Sequence, residues 1–290
     1  MRRVRNLWFS VFAMLALASA IGAGTAAAET EYAPTGLPEF GRCVKVTAGT
    51  GGYKYANCIA HSKTHTGSYE WKPGPGETKP TFEATLNKFK LETAKHSIQC
   101  GGFVTGTYAD TKHATVELEL KGCGIVGSNP IVKCQSGPEE GEINAPPGGI
   151  EAEIGFIKGG EKPVVGWDIK PKEPSTEVLG FFCGSVEEIE KGKLPEQKWT
   201  VEGSAIGSLK RINKMTSVFL LTYSETGGTQ EIEKFEGGVP DTLKAEIFLN
   251  PGFPTPPETV KEGAGLLTRG ERVPFEIENG EPFEIKGKFK

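Results

Sequence analysis

Apolar and polar residues alternate along most of this 290-residue chain, in short runs broken by glycine and proline. The clearest runs are SIQCGGFVTGTYA (97–109), ATVELELKG (114–122), IEAEIGFI (150–157), PVVGWDIK (163–170), EVLGFFCG (177–184), QKWTVEGSAIG (197–207), TSVFLLTY (216–223) and TLKAEIFL (242–249). A period of two places successive side chains on opposite faces of a strand, so each run reads as a strand with one buried face. No segment carries a sustained 3.6-residue apolar stripe with caps. Glycine (39) and proline (20) make up about a fifth of the chain and fall between the runs as turn signals. The pattern predicts an all-β fold, an antiparallel β-sandwich or barrel-like set of sheets with little helix.

The N-terminus breaks the pattern. MRRVRN precedes an apolar run from Leu7 to Ile21, and Ala26-Ala27-Ala28 closes it. That run is too short for the roughly 20 residues of a bilayer span. A basic start, a short apolar core and small residues at the exit predict a signal peptide over residues 1–28, cleaved after Ala28. No later segment is long and apolar enough to span. The expectation is a secreted or cell-surface protein, extracellular, with no membrane span after cleavage. Cleavage would remove Arg2, Arg3 and Arg5, leaving 30 basic and 37 acidic residues, a net charge of 30 − 37 = −7. Without a basic cluster to displace counterions, nucleic-acid binding is not expected.

Two proline-rich stretches, Lys72–Pro80 (KPGPGETKP) and Asn250–Pro257 (NPGFPTPP), read as linkers. They divide the chain into a small disulfide-bearing β segment (29–80), a β core domain (81–250) and a C-terminal β-hairpin extension (251–290). The extension contains FEIENGEPFEI, in which Phe275 and Ile277 alternate, as do Phe283 and Ile285. A two-residue Asn279-Gly280 turn would put those two sets on opposite faces, so a longer or bulged turn is expected.

The exported compartment decides how cysteine is read. Cys43, Cys58, Cys100, Cys123, Cys134 and Cys183 show no C-x2-C zinc spacing and read as three disulfides. CVKVT and YKYANC flank the glycine cluster AGTGG, which predicts a hairpin stapled by Cys43–Cys58. A hairpin turning near Asp110–His113 would bring Cys100 opposite Cys123 and leave Cys134 with Cys183. The rival set, Cys123–Cys134 with Cys100–Cys183, stays open.

Candidate chemistry is sparse. His61 and His65 stand too far apart on an extended chain to share an ion, so no metal site is expected. There is no GxSxG elbow, no phosphate loop and no clustered aspartate, and neither a cofactor nor a catalytic residue is assigned. Asp168, beside Trp167, is the one acid in an unusual setting, and it reads as a turn or edge residue. Tyr53 and Tyr55 alternate, as do Tyr69 and Trp71. The four form a candidate binding face beside the first disulfide, set against the simpler reading that both pairs face the core.

IQCGGFVTGTY, VELELKGC, VKCQSGPEEGEI, VEGSAIGSLKRINKM and YSETGGTQEIEKF together resemble an abundant family of uncharacterised secreted bacterial proteins, over roughly Phe82–Phe235. The resemblance implies secretion and an all-β fold, and carries over no activity or functional residue. The chain departs from that pattern by inserting NAPPGGIE after GEI, which leaves the hairpin geometry there open. The functional expectation is an exported non-enzymatic binding or structural module, its partner a cell-wall glycan or a surface protein. The alternative is a secreted polysaccharide hydrolase using paired glutamates.

Overall fold

The structure, a computed structural model, describes residues 36–77, 79–173, 177–184, 197–250, 255–268 and 275–288. The expected signal peptide lies outside them. The chain divides at Ala33, and the described residues all belong to one compact unit, Pro34–Lys290. They are all-β, with three disulfides.

The strands begin with β1 (Glu39–Lys45), β2 (Tyr69–Pro73), β3 (Thr81–Thr93), β4 (Ser97–Tyr108) and β5 (His113–Ile125). Short β6 (Cys134–Gln135) and β7 (Ile143–Asn144) follow, then β8 (Ile150–Lys158), β9 (Val164–Pro171) and β10 (Leu179–Cys183). Next come β11 (Gln197–Glu202), β12 (Ala205–Lys210), β13 (Thr216–Thr222), β14 (Glu225–Thr226) and β15 (Thr229–Gln230). The last are β16 (Lys244–Leu249), β17 (Glu258–Thr268) and β18 (Phe275–Lys286).

Eight of these, in the order β18-β13-β12-β9-β8-β5-β4-β3, form an antiparallel barrel, closed where Glu278 and Asn279 of β18 pair with Glu83 and Phe82 of β3. Closure leaves no unpaired edge in that ring. The sequence alternation becomes an inside and an outside. On β3, Phe82, Ala84 and Leu86 are buried while Thr81, Glu83 and Thr85 are exposed. Inside, Tyr108 packs against Phe40 and Phe283 at 4.6 Å and Phe82 at 5.1 Å, and Phe82 meets Trp167 at 5.2 Å. The buried Tyr108 hydroxyl donates to Asn279 Oδ1 at 2.6 Å.

β3 is longer than the barrel needs. Past a register shift between Leu86 and Phe89, its second half pairs with β17, which starts a side sheet in the order β17-β16-β11-β10-β6. β18 is likewise shared, since its last residues pair with β1, whose other edge carries β2. The expected boundaries therefore do not separate units. Lys72 and Pro73 lie within β2, Gly74 N donates to Phe40 O, and β17 and β18 are integral to the sheet.

The C-terminal hairpin is also corrected. FEIENGEPFEI is one continuous strand, because Ile277, Phe283 and Ile285 share one parity and can all face the core without a turn. The first hairpin changes partner. Cys43 does bond to Cys58, but β1 pairs with β2, Cys43 opposite Trp71, and YKYANC is a looped segment. Its end is turned by Cys58 at φ 45°, whose N–H donates to Tyr55 O. Gly41 makes room for this arrangement, since a Cβ there would lie 2.4 Å from the Trp71 ring.

The other two disulfides are Cys100–Cys123 and Cys134–Cys183. β4 and β5 turn near Asp110–His113 in a register that runs unbroken from Tyr108↔Ala114 to Gly101↔Lys121. That register alone would set Cys100 opposite Gly122. A bulge intervenes, with Gly122 at φ 63°, and shifts the pairing to Gln99↔Gly124.

Candidate functional site

The candidate aromatic face gives way largely to the simpler reading, in which its rings pack inward. Tyr53 and Trp71 are 2% and 1% exposed and belong to a small core with the Cys43–Cys58 disulfide, while Tyr69 is half-buried and Tyr55 is 63% exposed. The strand alternation assumed for Tyr53 and Tyr55 fails because no strand runs there. Trp71 Nε1 donates to Glu39 Oε1 at 2.6 Å, and Lys286 Nζ sits 4.6 Å from the Trp71 ring centroid. Lys286, wholly buried, also donates to the carbonyls of Asn57 and Cys58 and to the wholly buried Glu284. Burial pulls the Lys286 ammonium down from the usual lysine value and pushes Glu284 up, each opposed by the other's charge. The predicted site is a packed lobe. Of its histidines, His61 packs its ring 4.6 Å from that of Tyr53.

Two concavities stand out among the described residues. The first is an apolar cavity of about 60 Å³ where barrel residues such as Trp167 and Leu221 meet Leu179, Val201 and Leu266 of the side sheet. Val104, Leu118 and Ile169 point into it and stay half-buried. The volume is far below the ~300–1,000 Å³ of a small-molecule site, so size argues against it.

The second is a groove on the outer barrel wall, formed by two adjoining hollows of about 480 and 270 Å³ that share Thr105 and Glu117. Its floor is set by strand register. Glu278, Glu83, Thr105 and Glu117 stand side by side across β18, β3, β4 and β5. On one flank lies the row Thr81, Thr107, Thr115, and on the other Thr85, Phe103, Glu119, Asn144. Phe103 is 48% exposed. Pro146 and Pro147, from the turn after β7, complete the wall beside it. Neighbouring strands lie ~4.8 Å apart, so Glu278 and Glu83 are directly opposed like charges, an arrangement that costs stability. The row has no signature in the sequence, because Glu278 and Glu83 join Glu117 through pairings between separate segments.

Asp168 is a separate case. It lies in the middle of β9, not at a turn or edge, and is 8% exposed. Ser204 lies beside it and moderates its pKa, yet its Oδ1 has no hydrogen-bond partner among the described residues. Burial pushes its pKa up to about 6, Lys170 opposing and Asp241 and Glu153 adding to the rise. The segment 231–242 covers that side of the wall: the Phe235 ring fills the space beside Gly155, and Asp241 O accepts from Ser204 Oγ.

No family model matches the chain, and neither the curated proteins nor the solved structures include a significant match.

Proposed function

We propose that this chain is an exported, non-enzymatic binding module of the cell surface or extracellular space, with its site in the groove on the outer barrel wall. One observation carries the reading: the groove, unlike the interior cavity, has the volume of a ligand site and a floor on which the carboxylates of Glu278 and Glu83 are directly opposed, at a cost to stability. The three disulfides fit an oxidising compartment. Closed barrel strands supply a rigid floor, which limits the entropy lost on binding. The test is retention of the purified, disulfide-intact protein on a crude cell-envelope fraction. Thr105→Arg fills the groove from an exposed position and should abolish retention; unchanged retention would remove the groove from consideration.

A second reading, a polysaccharide hydrolase, draws on the spacing of Glu83, Glu117 and Glu278. Their strands place them ~5–14 Å apart, a range that includes glycosidase carboxyl separations. All three rise from one wall, whereas the two acids of a glycosidase flank the bond from either side. Binding is therefore preferred. Release of reducing ends from polysaccharide, lost in Glu83→Gln, would establish the hydrolase instead.

A further inference from the structure

We propose that the groove's ligand is a neutral oligosaccharide with one sugar ring stacked on Phe103, an assignment that rests on the groove reading above. Three features of the wall point to that chemistry together. The half-exposed Phe103 ring stands on the outer face of a long barrel strand, where its neighbours in register are Thr85 and Glu119. An aromatic ring held by two side-chain torsions offers a flat apolar platform at low entropy cost, and the apolar face of a sugar ring is its natural complement. Pro146 and Pro147 extend the apolar surface at that end of the groove.

The rest of the floor is polar in a particular way. Thr81, Thr105, Thr107 and Thr115 contribute hydroxyls, which both donate and accept, while Glu83, Glu117 and Glu278 only accept. Sugar hydroxyls likewise donate and accept, so a polyhydroxylated chain engages both kinds of group. Rows two residues apart along a strand are separated by ~6.7 Å, so the three rows span ~13 Å, enough for an extended chain rather than a single small molecule.

The competing ligand is a basic peptide, drawn by the carboxylates. Ammonium groups only donate, so they could use the carboxylates and the hydroxyl lone pairs but would offer no acceptor to the threonine hydroxyl protons. Glu119, nearest Phe103, already holds Lys121 at 2.7 Å. The composition of the floor favours the sugar.

The experiment titrates wild type, Phe103→Ala and Thr105→Arg with neutral β-linked glucan and chitin oligosaccharides and with oligolysine, in 0.15 and 1 M salt. The expected result is oligosaccharide binding that survives 1 M salt, weakens tenfold or more in Phe103→Ala and vanishes in Thr105→Arg, with melting temperatures within about 4 °C of wild type. Oligolysine binding that collapses in high salt, with no oligosaccharide bound, would overturn the sugar assignment. If no oligosaccharide binds while Thr105→Arg still abolishes envelope retention, the groove stands and the sugar class falls. If Thr105→Arg leaves retention intact, both fall.

Discussion

The N-terminal lobe and the outer barrel wall use aromatic and charged residues in opposite ways. In the lobe, Trp71 and Tyr53 are buried and the acid Glu284 is matched by Lys286. On the wall, Phe103 is half-exposed and Glu278 directly faces Glu83. The lobe spends its unusual residues on holding a glycine-rich, strand-poor segment against β18. The wall has regular strands to hold it, so its outward residues are free to serve something outside the molecule. The lesson is that aromatics beside a disulfide in irregular chain are first a core, while an aromatic among threonines on a long strand needs another account.

That contrast fails if lobe residues prove dispensable for stability. Trp71→Ala empties the lobe's centre and should cost about 3–5 kcal/mol. Lys286→Ala leaves Glu284 buried without its cation and should cost about the same, with the loss in Glu284→Gln/Lys286→Met clearly smaller. Chemical denaturation of each variant provides the check. A cost below about 1 kcal/mol for both single variants would mean that the lobe is not a cohesive core.

The staple comes next in size. Cys43–Cys58 closes a loop of 15 residues, worth about 3 kcal/mol in the chain-entropy model. Cys43→Ala/Cys58→Ala should lose roughly that amount, while oligosaccharide binding at the wall stays unchanged. Loss of binding in a folded double variant would show the two regions to be coupled and the contrast to be misdrawn.

The wall carries its own buried acid, shifted in the same direction as the lobe's but held differently. Glu284 has Lys286 in direct contact, whereas at Asp168 the charge of Lys170 only partly offsets burial; one oxygen of each acid lacks a hydrogen-bond partner among the described residues. With its folded pKa at about 6 against an ordinary value of 3.8, Asp168 binds its proton more tightly when folded. Its protonation therefore favours the fold. The benefit is present below pH 3.8, is lost as pH rises towards 6, and above that leaves a cost of up to about 3 kcal/mol. Asp168→Asn should stabilise the protein by about 1–2 kcal/mol at pH 7.5 and make no such difference near pH 3.5. Denaturation midpoints at the two pH values test this; equal effects at both would show that ionisation of Asp168 is not the source.

The strands and the barrel-forming alternation were legible because both are local, period-two signals. VELEL gave β5 its inside and outside, and TSVFLLTY gave β13. The two hairpin errors have one cause. FEIENGEPFEI and CVKVT…YKYANC each carry a turn signal, Asn279-Gly280 and the glycine cluster, yet the parity of Ile277, Phe283 and Ile285 favours one strand, and Cys58 at positive φ ends the other as a loop. The groove could not be read at all. Thr105 meets Glu83 and Glu117 through neighbouring hairpins, but Glu278 arrives from almost 200 residues away, and only barrel closure sets it beside Glu83. The role of NAPPGGIE as a wall, with Asn144 paired to Glu119 and Pro146 closing a turn with Gly149, was not legible either.

The smallest expected stability effect is the one that sharpens the contrast most. Phe103→Ala removes a half-exposed ring and its cross-strand contacts with Thr85 and Glu119, which are worth about 1 kcal/mol at most. Tyr55→Ala removes a side chain 63% exposed on the lobe's loop and should fall within about 0.5 kcal/mol of wild type. On stability the two variants should be nearly indistinguishable. On binding they should part, because only Phe103 lies in the groove. Measured together, they separate a surface aromatic with a task from one without. Equal loss of binding in both would return the site to the lobe, and a Phe103→Ala cost of 3 kcal/mol or more would make that ring a structural element of the wall.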